Sequence, residues 1–268
     1  MLRRRMRARS KFVLAHLAAA LALAIACGGG DGGSPEGPSA VTPTPSPTPP
    51  AVTKIMPLGD SITQANDETN SYRRPLWRLL QGSGRRVDFV GSQTENHQGP
   101  PPNPDFDLDH EGHWGWAADD VLREIDGWAR AFTPDVVLLH LGSNDALRGH
   151  DTAETLDELG AIVARLRAAN PRVSVLLAQL IPTRRAADNS RIEALNAGIP
   201  GLAARLDSAA SRVVVVDQYS GFDANSDTRD GIHPNAAGEE KMANVWNHAL
   251  AGVLRASLRA SRPASARR

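Results

Sequence analysis

The sequence predicts a three-layer α/β/α sandwich built on a five-stranded parallel sheet. Three observations lead there. Five short apolar runs, rich in Val, Leu and Ile, recur along the chain from residue 52 onward. The runs are continuous rather than alternating, as expected of strands covered on both faces. Longer segments with helical spacing separate them, the order that produces parallel strands joined by crossover helices.

Residues 54–58 run into Gly59 and read as the first strand. Residues 72–81 have helical periodicity and stop before Gly82. Residues 87–90 form a second strand. Residues 91–113 make a polar, proline-rich loop, of a length that is usually functional or disordered. A helix is expected over 118–131 and a strand over 135–141. The segment 152–169 places Leu156, Leu159, Ile162, Val163 and Leu166 on one helical face. A strand over 173–180 precedes a helix over 190–206, with a bend expected near Pro200. The fifth strand covers 212–216 and the last helix 235–258. The folded domain therefore spans 52–258, and 259–268 is a basic, loose tail.

The chain has 268 residues, 41% hydrophobic and 22% charged, with a formal net charge of zero. That suits one domain with a proper core. The neutral balance points away from nucleic acid, whose binding needs a basic field. The single cysteine, Cys27, excludes an intramolecular disulfide.

The first 26 residues read as a signal peptide: Arg3, Arg4, Arg5, Arg7 and Arg9 precede an apolar run over 12–26, short for a membrane span. Cys27 follows Leu23-Ala24-Ile25-Ala26, which resembles the lipobox of bacterial lipoproteins, with Ala24 where leucine is usual. The alternative is plain cleavage near Ala26. Residues 27–51 hold Gly, Ser, Pro and Thr with few hydrophobes and cannot bury enough surface to fold. Their proline-rich end is extended and stiff. An acylated Cys27 followed by such a spacer would hold a domain off a membrane. Gly28, in place of an aspartate, favours the outer membrane in a Gram-negative cell.

Three constellations follow strand ends, where open parallel sheets carry their sites. The first strand leads into Gly59-Asp60-Ser61. A serine on that turn, at the start of a helical turn, has free backbone N–H groups beside it. The third predicted strand leads into Gly142-Ser143-Asn144-Asp145, where Asn144 can donate its side-chain amide to an oxyanion. Asp230-Gly231-Ile232-His233-Pro234 lies past the fifth. A carboxylate at Asp230 can fold back onto the His233 Nδ1–H, leaving Nε2 to take a serine proton. Pro234 suits the first helical position. Each motif alone also reads as ordinary turn or cap chemistry. Together, at one sheet edge, they supply a weak nucleophile with the base it needs. No G-x-S-x-G elbow is present.

These motifs resemble the SGNH hydrolase superfamily: Gly-Asp-Ser at Ser61, a glycine block at Gly115, G-x-N-D at Asn144 and D-x-x-H at Asp230 and His233. The likeness covers 52–258. It is most similar to the acetyl xylan esterases of carbohydrate esterase family 3, through residues 54–63, Ser71-Tyr72-Arg73, 87–92, 109–113 and Gly115-Trp116. The resemblance implies a flavodoxin-like sandwich, no cofactor, and an oxyanion hole from the Ser61 N–H, the Gly115 N–H and the Asn144 side chain. Trp114 departs from the pattern, which has a small residue there. It would narrow the acyl pocket, stack on a sugar ring or fill core space; Trp114 and Trp116 are the candidate substrate contacts. Asp109, His110, Glu111 and His113 have no common zinc spacing and read as a loop-shaping network, not a metal site. Arg73 is expected to brace the first helix or a nearby carboxylate.

The resemblance therefore implies an exported serine esterase acting on acetylated polysaccharide, with Ser61, His233 and Asp230 as its triad. It would be tethered by a lipid anchor and monomeric. The alternatives are a lipase- or thioesterase-like relative and a non-catalytic carbohydrate-binding surface protein.

Overall fold

The computed structural model describes residues 52–260, with side chains as far as Leu254. The expected signal peptide, Cys27, the linker and most of the tail lie outside the described residues. In chain order the elements are β1 (Thr53–Gly59), α1 (Ser61–Gln64), α2 (Arg73–Gly82), β2 (Val87–Phe89), β3 (Glu111–Gly112), α3 (Ala118–Phe132) and β4 (Val136–His140). They continue with α4 (Ser143–Arg148), α5 (Thr152–Ala169), β5 (Ser174–Gln179), α6 (Ala186–Leu206), β6 (Val213–Asp217) and α7 (Ala236–Ala260).

The sheet runs β2-β1-β4-β5-β6 with every pair parallel. It has six strands rather than the expected five. The sixth, β3, sits inside the segment read as a long loop and pairs Glu111 with Leu58 and Gly112 with Gly59. Two residues are too few to carry a periodicity. From β1 the chain goes to β2 on one side and later to β4 on the other. That reversal opens a crevice beyond the carboxyl ends of β1 and β4. Ser61 and Asn144 follow those two ends.

Strand alternation sorts the core into two layers. Met56, Leu58, Val137, Leu139, Val175 and Leu177 pack against α3, α5 and α6. Ile55, Val136, Leu138 and Leu176 face the opposite layer, α2 and α7, where Trp246 is fully buried. Each such side chain contributes roughly 1.5–3 kcal/mol by leaving water.

Helix ends follow their caps. Asp151 accepts from the Ala153 and Glu154 N–H groups at 2.9 and 3.0 Å and starts α5 at the expected residue. α6 has no side-chain cap and begins at Ala186, earlier than the sequence indicated. Pro200 lies inside α6. Having no N–H, it leaves the Asn196 carbonyl without its helical donor, and Gln179 Nε2 donates there instead at 3.1 Å. α7 extends to Ala260, into the segment read as tail.

α7 also anchors the loop after α1. Buried Glu239 accepts from the Ser71 N–H at 2.9 Å. Burial pushes its carboxyl up to about 7, against the hydrogen bond from Ser71. The raised value means that the fold disfavours the ionised form. That cost is absent at pH below the unfolded carboxyl's pKa, grows with pH, and is fully present above about 7. Glu239→Gln should therefore leave Tm nearly unchanged at pH 4.5 and raise it by roughly 5 °C at pH 8. A difference between variant and wild type that stays flat across a thermal-melt pH series would contradict this account.

Candidate active site

Ser61 is the first residue of α1, and Asp60 caps the turn by accepting from the Ile62 N–H at 2.9 Å. Asp60 is fully buried, and burial pushes its carboxyl up to about 6, against the hydrogen bond from Ile62. The far end of α1 is held by Arg73, itself 1% exposed. Its guanidinium donates to the carbonyls of Thr63 (3.0 Å), Gln64 (3.0 Å) and Leu108 (2.9 Å) and to Asn96 Oδ1 (2.7 Å). Arg73, expected to brace the first predicted helix or a nearby carboxylate, instead braces α1, a short helix the sequence did not show.

His233 Nε2 lies 3.0 Å from Ser61 Oγ, and its Nδ1 lies 2.7 Å from Asp230 Oδ2. With a carboxylate on Nδ1, that nitrogen carries the proton and Nε2 faces the hydroxyl as acceptor. The other Asp230 oxygen accepts from the backbone N–H groups of Ile232 (2.9 Å) and His233 (2.8 Å). Burial raises the Asp230 carboxyl, but these bonds to His233 and Ile232 outweigh it and hold it below its ordinary value. Gly231, at φ +95°, makes the turn possible; a Cβ there would meet Arg184 Cβ at 2.9 Å. The structure corrects the role of Pro234. Asn235 is the α7 cap, accepting from the Ala237 and Gly238 N–H groups at 3.0 and 3.1 Å, so Pro234 precedes the helix rather than opening it.

Asn144 belongs to the short helix α4, which the sequence left as a turn. Gly142 enters it at φ +115°, and a Cβ there would meet Leu195 Cδ2 at 2.7 Å. Asn144 donates one amide hydrogen to the Trp116 carbonyl at 2.9 Å, leaving its second free for another acceptor. Asp145 accepts from the Ala118 N–H at 3.1 Å and caps α3. The Trp114 N–H donates to Gln64 Oε1 at 2.7 Å, and the His113 N–H to the Gly59 carbonyl at 3.0 Å. The segments carrying Ser61, Gly115 and Asn144 are thus cross-linked. Among the described residues, the N–H groups of Ser61 and Gly115 have no hydrogen-bond partner.

The two candidate aromatic contacts separate. Trp114 stacks on His233, centroids 4.7 Å apart at 16°, and on His97, 4.6 Å apart at 17°. Both indole faces are covered, so Trp114 does not stack on a sugar; nor is it core filling, being partly exposed. Trp116 packs with His113 at 4.2 Å and 20° and with Trp128 at 6.0 Å. His97 lies in the long loop and had no motif to mark it. The four polar residues read as loop-shaping do that. The Gly112 N–H donates to His110 Nδ1 (3.0 Å), so His110 Nε2 carries the proton facing the Glu95 carbonyl (3.1 Å). Buried Glu111 accepts from Ser92 N–H and Oγ (both 2.7 Å) and from His113 Nε2 (2.8 Å). The Asp109 N–H donates to Asp107 at 3.2 Å. Beside Ser61 and His233 is a small cavity lined by Ile62, Ala65, Thr69, Arg229 and Glu239. Arg229 is paired there with exposed Glu68 at 2.7 Å.

A multidomain esterase of Ruminococcus flavefaciens is 32% identical over 229 residues, covering 76% of this chain. The chain spans only 29% of that relative's length. A carbohydrate esterase family 3 structure from Talaromyces cellulolyticus is 36% identical, with a TM-score of 0.68 over 76% of this chain and 99% of that one. The Clostridium thermocellum family 3 carbohydrate esterase is 35% identical, with a TM-score of 0.66 over 77% and 98%. Residues 58–241 match the GDSL-like lipase/acylhydrolase family from the end of β1 to the second turn of α7, and the chain belongs to that family.

Proposed function

We propose that this chain is an exported serine esterase that removes acetyl groups from carbohydrate, acetylated xylan being the leading substrate. The observation that carries the reading is the relay Ser61–His233–Asp230, with contacts of 3.0 and 2.7 Å. The small cavity beside Ser61 suits a short acyl group better than a lipid chain. Similarity to family 3 carbohydrate esterases supports a sugar as the alcohol. A third structure at 36% identity, a serine-to-alanine variant of an acetyl esterase solved with acetate, supports acetyl as the acyl group.

In this mechanism His233 Nε2 takes the Ser61 proton as Oγ attacks the acetyl carbonyl carbon. The carbonyl oxygen gains the negative charge and accepts hydrogen bonds from the Ser61 N–H, the Gly115 N–H and the Asn144 amide. Asp230 stabilises the imidazolium and holds its tautomer. The tetrahedral species collapses, and the sugar oxygen leaves with the proton from His233. Water then gives a proton to His233 and attacks the acetyl-Ser61 ester. Acetate leaves, and the proton returns to Ser61. No cofactor enters these steps.

The first test is acetate release from acetylated xylan by residues 52–268, a segment beginning one residue before β1. Release should be measurable in the wild type and vanish in Ser61→Ala. If p-nitrophenyl acetate is cleaved and xylan is not, the triad survives and the substrate is wrong. Wild-type silence on both would sink the esterase. Asn144→Ala should lower kcat roughly 10²–10³-fold with KM little changed; an effect confined to KM would remove Asn144 from the oxyanion hole. We also propose lipid anchoring through Cys27 of a monomeric enzyme. Radiolabelled palmitate should label the full chain expressed in a bacterium and be lost in Cys27→Ala. Equal labelling in both would end that proposal.

A further inference from the structure

The ring stack His97–Trp114–His233 is used by none of the steps above. Its geometry constrains the base more tightly than the Asp230 contact alone. A single hydrogen bond at Nδ1 aims the imidazole but lets the ring swing about the Nδ1···Oδ2 line. A flat surface against the ring removes that swing. Trp114 supplies it, 4.7 Å away at 16° from parallel.

Trp114 is itself fixed at two places. Its backbone N–H is held by Gln64 Oε1 at 2.7 Å, on the same short helix that carries Ser61. Its outer face is closed by His97 at 4.6 Å. His97 is in turn tied to the chain just after α1: its N–H donates to the Ala65 carbonyl at 2.9 Å, and its carbonyl accepts from the Asp67 N–H at 3.1 Å. Nucleophile and base are therefore set against one rigid block, although Ser61 and His233 lie 172 positions apart.

The stack also has an electrostatic consequence. An indole face carries the negative lobe of the ring quadrupole and attracts a cation within about 6 Å of its centroid. His233 becomes a cation only after it has taken the Ser61 proton. The attraction is thus largest in the charged states of the reaction and small in the resting enzyme, which is the condition for raising kcat rather than tightening binding.

We propose that Trp114 is a positioning residue for His233, orienting the imidazole toward Ser61 and stabilising the imidazolium formed during acyl transfer, with His97 backing the indole. The proposal rests on His233 acting as the base. It makes Trp114 act through the histidine rather than through the substrate.

The test compares Trp114→Leu, which fills apolar volume without a π face, with Trp114→Phe, which keeps one. On p-nitrophenyl acetate, the leucine variant should lose roughly 3- to 30-fold in kcat, with KM within about twofold of wild type. The phenylalanine variant should recover most of that loss. Inactivation by an organophosphonate, which reacts with Ser61 without a sugar, should slow in parallel. Should the leucine variant fold poorly in a thermal melt, mono-, di- and trifluorotryptophan placed at position 114 keep the shape while weakening the π face. Log kcat should then fall stepwise with fluorine number. Full leucine activity, equal losses for leucine and phenylalanine, a change in KM alone, or a flat fluorine series would each overturn the proposal. Ser61→Ala, run alongside, separates the failures: activity that survives it overturns the triad itself.

Discussion

A four-residue helix buried at the mouth of a sheet does not form by itself. Isolated helices need about 12–15 residues before propagation offsets nucleation. α1 exists because both of its ends are satisfied from outside. At the N-terminus Asp60 accepts the Ile62 N–H, and at the C-terminus Arg73 takes the Thr63 and Gln64 carbonyls. A cation at that end also matches the helix dipole. Among the described residues Arg73 forms no ion pair with a carboxylate, and burial lowers its pKa to about 10, so it remains charged at neutral pH. Its charge is solvated by carbonyls and an amide, in place of water. The position of Ser61, and everything aimed at it, depends on this arrangement.

The remaining site is assembled around that helix by hydrogen bonds that cross between segments. Gln64 holds the turn at Trp114, Asn144 holds Trp116, and Asp145 caps α3 at Ala118. These three bonds join the ends of β1, β3 and β4, the strands that border the switch point of the sheet. Donors fixed in this way need little reorganisation when charge develops on a bound ester. In the proposed mechanism Asn144 serves both the fold and the chemistry, with one amide hydrogen on the Trp116 carbonyl and the other for the oxyanion.

The imidazole is restrained from three directions. Asp230 holds its Nδ1, Ser61 meets its Nε2, and Trp114 covers one face. A second imidazole, His113, is held in a comparable way by Glu111 and by Trp116 and Trp128, and it serves to shape the β3 turn. Two similar pairings of histidine, carboxylate and indole thus occur among the described residues, and only one of them is beside Ser61. Contact with Ser61, rather than the pairing itself, separates the proposed base from the structural histidine.

Much of this was legible beforehand. Four of the five main strands announce themselves as continuous apolar runs, because both faces of the sheet are covered there; β2 alternates, with Asp88 exposed. α5 matches its expected bounds because Asp151 caps it and its apolar face repeats over five turns. Ser61, Asn144 and the Asp230–His233 pair could be named because their partners are local or follow strand ends. What could not be read is what rests on contacts between distant segments. β3 and α1 are too short for a period to show, and α4 looked like turn chemistry; all three are held by partners elsewhere in the chain. The strand order, the two-ended clamp on α1, and the meeting of His97, Trp114 and His233 have no local signature. The sequence by itself determined which segments are strands and helices and which side chains could react, since those follow from local periodicity and residue chemistry. Only the tertiary structure decided what faces the base, because ring stacking and buried hydrogen bonds depend on distances that chain order does not encode.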